Sequence, residues 1–276
     1  MNIQIEKMKN SDFVNAKDQL DFYDADVELT SALEKKSHDL YKIVNGDDLL
    51  GLIQIEQGKH AYLYVYIDPK YRNKGLGQRA LEIGEDMIDK DQAELILTMY
   101  KLDTDISKAF AIKNAYLRKF SSTYMTYNGD KFECGDLPVR QYKDDDYESA
   151  HELYARAFHE MRLSTGDFPD SIIEKPSTQM KEHWHKTSKD RLVYTKSKEI
   201  VAYAHLEGKE LSSVSVKTSH HNQGIGSGFI KYICNQILDE HDCVDLFCVV
   251  GNKARHLYDK LGFKVVYTAE FATKKV

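Results

Sequence analysis

The sequence predicts an α+β chain of two consecutive domains, and two observations carry that prediction. A strand, a basic glycine turn and an amphipathic helix follow one another over Tyr62 to Lys90, and the same order returns from Leu211 to Ile237, one domain length later. Each copy is preceded by a hairpin signal, Leu40 to Glu56 in the first and Arg191 to Leu206 in the second. With 276 residues, 42% hydrophobic and 30% charged, each half can bury its own core.

The first half reads as follows. Ile3-Gln4-Ile5 is a short strand, with no apolar leader before it, and Ser11 starts a helix. A second helix covers about Val27 to Lys36. Leu40 to Val44 and Leu49 to Glu56 pair through Asn45-Gly46, which supplies the positive φ of a tight turn. Leu63, Val65 and Ile67 share one strand face, opposite Tyr62, Tyr64 and Tyr66, and Pro69 ends the strand. After the turn, Ala80, Leu81, Gly84, Met87 and Ile88 recur at helical spacing. Glu94 to Met99 is a fifth strand. Thr104 or Asp105 caps a helix carrying Ala109, Ile112, Tyr116 and Leu117, and Tyr124 to Cys134 holds one or two strands around Asn128-Gly129.

The second half repeats the plan. Val139 to Tyr142 is a strand, and Asp144 to Asp146 cap a helix through Ala150, Leu153, Ala157 and Phe158. Leu163 to Pro176 is a long irregular stretch suited to facing a substrate. A helix then runs to about Lys186. In the second copy of the pattern, Leu211, Ser213 and Ser215 alternate against Val214 and Val216, and the helix carries Phe229, Ile230, Ile233 and Ile237. Val244, Leu246, Cys248 and Val250 alternate in the next strand. Asn252 and Gly262 bracket a helix as cap residues, and Lys264 to Phe271 closes the chain one strand short, leaving a strand for the other domain or another chain to supply.

The chemistry lies in the two turns, Arg72-Asn73-Lys74-Gly75-Leu76-Gly77 and His221-Asn222-Gln223-Gly224-Ile225-Gly226. Glycines at a helix start let the backbone approach a ligand and turn free N–H groups toward it. The positive end of the helix dipole adds to these, making a seat for a phosphate or pyrophosphate. The first turn resembles the Arg/Gln-x-x-Gly-x-Gly/Ala signature of the GNAT N-acetyltransferase superfamily. Asn252, Ala254, Leu257, Tyr258, Leu261, Gly262 and Phe263 are similar to that family's later motif. The resemblance covers nearly the whole chain as two tandem copies, residues 1–135 and 136–276, in a layout similar to mycothiol synthase.

The resemblance implies a three-layer domain, with helices flanking a mixed, mostly antiparallel sheet, and acetyl-CoA wedged between splayed fourth and fifth strands. It implies direct attack of a small-molecule or peptide amine on the thioester. Separately, four cysteines without disulfide density fit a reducing cytoplasm, and a homodimer is the partner expected besides the acceptor. By the resemblance the cofactor contacts are Arg72, Asn73, Lys74, Gly75, Leu76, Gly77 and Gln78 in the first copy. In the second they are Val214, Val216, His221, Asn222, Gln223, Gly224, Ile225, Gly226, Ser227 and Asn252. Tyr258 is the acid that reprotonates the thiolate. Glu210 is the chosen base, with Glu207 and His205 as further candidates. Each copy departs from the pattern. The second has His221 where a fixed charge is usual. The first lacks the later motif, and Tyr116 matches Tyr258 only loosely, so the second copy is expected to carry the chemistry.

Other classes fit less well. Gly75-x-Gly77-x-x-Ala80 resembles a dinucleotide-binding fingerprint, but a linker separates it from the strand and no acidic residue ends the next one. No P-loop exists. The net charge of −6 disfavours nucleic acid, and no apolar run reaches the roughly 20 residues of a membrane helix. Cys134, Cys234, Cys243 and Cys248 have no metal spacing, and Cys248 reads as a buried apolar residue. His183-x-His185 and His220-His221 lack a third ligand, so no metal is expected. The rival from another class is a non-catalytic acyl-CoA-binding or regulatory protein.

Overall fold

The computed structural model describes residues 2–22, 25, 27–102 and 105–276, and the backbone but not the side chain of Asp105. Two compact units result: residues up to Lys119 together with Ala269–Val276, and Phe120–Thr268.

In the first unit the elements are β1 (Gln4–Lys7), α1 (Asn10–Gln19), α2 (Val27–Glu34), β2 (Leu40–Asn45), β3 (Asp48–Glu56), β4 (His60–Ile67), α3 (Leu76–Asp86), β5 (Leu95–Lys101) and α4 (Asp105–Lys113). Strands β1 to β4 are antiparallel neighbours, and Gly46 takes φ +62° in the β2–β3 turn. Strand β4 lies parallel to β5 over His60–Tyr62 alone. Leu63 and Ile67 are buried against Leu76, Ala80 and Leu81 of α3. Gly84 permits that close approach, because a Cβ there would stand 2.6 Å from Ile53 Cδ1.

Gly51 is tighter still. A Cβ would lie 2.0 Å from the Tyr66 carbonyl oxygen, a backbone atom that the β3–β4 ladder holds in place. Gly51→Ala is therefore expected to cost about 3 kcal/mol, the upper end for overpacking. A chemical-denaturation midpoint equal to wild type would show that the strands can part without penalty.

The elements that follow are β6 (Leu117–Tyr127), β7 (Val139–Gln141), α5 (Tyr147–Thr165), α6 (Thr178–Lys186), β8 (Arg191–Lys196), β9 (Glu199–Glu207), β10 (Glu210–Val216), α7 (Ile225–Ile237), β11 (Val244–Val249), α8 (Arg255–Leu261) and β12 (Lys264–Lys275), all in the second unit except the start of β6 and the residues of β12 from Ala269 on, which belong to the first. Strands β7 to β10 are antiparallel. Strand β10 meets β11 in parallel only at Glu210 and Asp245, and β11 pairs with β6 from Val244 against Tyr127 to Val249 against Ser122. One face of this sheet packs against α7 and α8 through Phe229, Ile233, Tyr258 and Phe263. The other carries α5 and α6 over Tyr147, Trp184, Val193 and Tyr203. Phe229 is fully buried, a contribution of roughly 2–3 kcal/mol from one side chain.

Four readings of the sequence are corrected. The stretch around Asn128-Gly129 is one long strand ending at Tyr127, followed by an irregular segment. Helix α4 stops at Lys113, so Tyr116 and Leu117 lie beyond it. The last strand runs on to Lys275. In β10 the register against β9 shifts between Leu211 and Ser213. That bulge turns Leu211 to the same face as Val214 and Val216, with Ser213 and Ser215 opposite, reversing the parity expected for Leu211. The Thr104 cap lies outside the described residues.

The linear halves and the packed units also differ. Residues 120–127 belong with β11, and residues 269–275 pair with β5, from Ala269 against Lys101 to Lys275 against Leu95. Each unit's sheet thus takes a strand from the other half of the sequence. Among the described residues no helix is long and apolar enough to cross a membrane.

Candidate active site

Both glycine turns fold the same way. Asn73 and Gly75 have φ of 61° and 77°, and Asn222 and Gly224 have 59° and 79°. Asparagine and glycine are the residues that tolerate this left-handed region. The first helical bonds are Arg79 N–H to Gly75 O and Gly228 N–H to Gly224 O. The amides of residues 76–78 and 225–227 therefore have no intrahelical acceptor and lie at the positive end of the dipole. Leu76 and Ile225 turn their side chains into the cores, leaving only their amides for a ligand.

The residue that opens each turn acts as a tether. Arg72 Nε donates to Ile67 O at 2.7 Å, and His221 Nε2 lies 2.9 Å from Val216 O, the matching strand-end carbonyl. An imidazole thus replaces the guanidinium in holding the turn to its strand. Lys74 reaches Lys70 O, Gln78 bonds Asn114 and Glu82, and Gln223 bonds Ser219 O and Lys196. Ser227 stands half-buried beside Gly226 on the first turn of α7.

In each unit the strand before the turn parts from its parallel neighbour, so beyond that point this edge pairs with no described strand. Lys217 N–H bonds Val201 O on β9, so at period two the amides of Val214 and Val216 turn the other way, toward the gap left by β11. Asp68 N–H to Leu50 O sets the same arrangement in the first unit. A slot bounded by this parted strand edge and ending at unbonded helix amides fits an extended chain that terminates in a pyrophosphate.

The helix that closes the slot differs between the units. A Cβ on Gly226 would stand 3.6 Å from Val216 Cγ2 and 3.7 Å from Leu257 Cδ2; on Gly77 it would stand 3.8 Å from Ile67 Cγ1 and from Phe110. Phe110 on α4 therefore takes the place of Leu257 on α8. The helix ends agree: Gly262 (φ 95°) and Ala115 (φ 64°) are left-handed, with Phe263 N–H bonding Tyr258 O and Tyr116 N–H bonding Ala111 O. Tyr116 thus corresponds to Phe263, and the position of Tyr258 is filled by Ala111. Tyr116 instead donates to Glu85, which pairs with Lys274.

Tyr258 is buried edge-on to Phe263, and burial raises its pKa well above the ordinary phenol. Its hydroxyl makes no side-chain hydrogen bond among the described residues. Asn252 Oδ1 accepts from Ala254 N–H at 2.9 Å, an Asx turn before α8 instead of the cap of its first turn. Cys248 is buried and its thiol is pushed up to about 11 by desolvation, which leaves it inert.

Glu210 lies at the closed end of the slot, on the α5 face. Beside it Asp245 accepts from Tyr124 at 2.6 Å and pairs with Lys209 at 2.9 Å. Glu207 pairs across from Glu210 on β9. His205 lies across from Ser213, and burial with the nearby Arg191 lowers it to about 4, so the imidazole is neutral at pH 7. His185 Nδ1 is 2.6 Å from Asp144, and among the described residues no three side chains form a metal-binding group.

Residues 150–276 match an acetyltransferase (GNAT) domain and residues 3–111 the acetyltransferase (GNAT) family. No curated protein matches the sequence. Among solved structures, the GCN5-related N-acetyltransferase from Sphaerobacter thermophilus is similar at 15% identity and TM-score 0.70, over 99% of this chain and 95% of that one. A tandem GNAT protein from the clavulanic acid biosynthesis pathway is similar at 12% identity and TM-score 0.61, over 99% and 98%. A GNAT-family acetyltransferase from Colwellia psychrerythraea is similar at 12% and 0.59, over 98% and 100%. Two matched domains, two identically built turns and two splayed strand pairs lead to one conclusion: the chain belongs to the GNAT acetyltransferase superfamily, as a tandem member.

Proposed function

We propose that the second unit transfers an acetyl group from acetyl-CoA to an amine by direct attack, without an acyl-enzyme. One observation carries the assignment: the closing helix presents Tyr258 in the second unit and Ala111 in the first. When bound, acetyl-CoA supplies the activated acyl group as a thioester. The amides of residues 222–226 take its phosphates, with Asn252 available to the pantetheine arm. The gap-facing amide of Val214 or Val216 opposes negative charge developing on the acyl oxygen. Glu210 takes the amine proton, directly or through water, and Tyr258 holds a proton at Oη for the departing thiolate.

A second reading applies to the first unit. It keeps the whole Arg72–Gly77 turn, yet it has no hydroxyl at Ala111, which favours binding or scaffolding over turnover. Calorimetric titration with acetyl-CoA, followed by release of free CoA thiol with a panel of amines, tests both readings. Binding with thiol release supports the enzyme. Binding without release from any amine would make the chain a sensor of acyl-CoA.

A further inference from the structure

The closing helix has an outer side as well as an inner one, and the outer sides of the two copies differ in kind. Phe110, Ala111 and Tyr116 match Leu257, Tyr258 and Phe263, which aligns the remaining positions of α4 and α8. In the second copy the exposed positions are Lys253, His256 and Asp259, with Lys264 after the helix end. The same positions in the first copy hold Ile106, Ala109, Ile112 and Leu117. A solvated polar face in one unit is an apolar face in the other.

The apolar side chains stand in solvent. Ile106 is 67% exposed, Ile112 59% and Leu117 70%. Residues three apart share one side of a helix, so Ile106, Ala109 and Ile112 form a stripe along α4. Ala115 N–H bonds Ile112 O where the helix ends, and Leu117 follows two residues later. Single exposed apolar residues are common on any surface; an aligned set whose matched positions are polar is not.

Cations flank the stripe. At 100° per residue Lys108 and Lys113 fall on either side of it, both exposed, and Arg118 and Lys119 come directly after Leu117. Arg118 also reaches Glu270. From Ile106 to Lys119 there is no Asp or Glu, in a chain with 44 acidic residues against 38 basic ones. That pattern selects the occupant. Two copies meeting at this face would set lysine against lysine. A bilayer interface rich in anionic headgroups takes both parts at once. The apolar side chains sink below the phosphates, and the lysine stems return their ammonium groups to them.

We propose that the outer face of α4 docks the chain on an anionic lipid surface. Flotation with vesicles tests this. Wild type should rise with vesicles of phosphatidylcholine and phosphatidylglycerol in equal parts at low salt, and stay behind with phosphatidylcholine alone. It should also stay behind at about 1 M salt, where the screening length shrinks to about 3 Å. Ile112→Asp installs the residue that α8 carries at the matching place. It should weaken partitioning about 10-fold or more with the melting temperature unchanged. Lys108→Gln combined with Lys113→Gln should weaken it roughly 30-fold. Val14→Asp, at an exposed apolar residue of α1, should change nothing. Wild type that ignores anionic vesicles, binds neutral ones equally, or binds undiminished after Ile112→Asp would each overturn the proposal. A wild-type dimer in sedimentation velocity that Ile112→Asp splits would give the face to a second copy instead.

Discussion

Tyr258→Phe should lower turnover by roughly 10²- to 10⁴-fold, the range for losing a positioned general acid, and leave the acetyl-CoA Kd unchanged. The substitution removes one oxygen. The ring keeps its edge contact with Phe263, and no hydrogen bond among the described residues is lost, so the fold has no reason to suffer. Burial raises the Tyr258 pKa, so the acid stays protonated as the pH climbs through the ordinary phenol value near 10. Any alkaline fall in wild-type rate below that pH must come from another group. Steady-state rates with calorimetry check this, and undiminished turnover in the variant would move the chemistry away from α8.

Gly226→Glu should remove productive acetyl-CoA binding, by about two orders of magnitude or more, whereas Gly77→Glu should leave turnover near wild type. Gly226 has helical backbone, and its Cβ would meet Val216 and Leu257 at ordinary contact distance, so the site can accept a side chain. A carboxylate there sits among the unbonded amides at the positive helix end and competes with the phosphates for them. The pair of variants separates the units. Loss of turnover only in Gly77→Glu would place the cofactor at residues 72–77 and end the case for Tyr258.

The glycine turns were legible because their residue types are dictated locally: an asparagine and a glycine at left-handed positions, then an apolar helix stripe. The splayed strand edges followed from the resemblance those turns carried. Three features were not legible. The bulge at Ser212 leaves no mark in an alternating apolar pattern, so Leu211 was placed on the wrong face. Ala115 adopts the left-handed conformation without being a glycine, which hid the helix end and made Tyr116 look like the counterpart of Tyr258. The partners of β6 and β12 are set by contacts distant in sequence, and strand periodicity says nothing about which edge a strand will join.

The exchange of strands β6 and β12 between the halves also bears on how the chain is made. A ribosome delivers the first unit's β1 to β5 early, but the neighbour of β5 within that unit is residues 269–275, which emerge only after the strands of the second unit have been made. Until then β5 offers an open backbone edge, the kind that captures stray chains. A gene cut at residue 135 would make that delay permanent. It would leave one product without the closing strand of its sheet and the other without the partner of β11, so separately expressed halves should be sticky alone and should recover order when mixed.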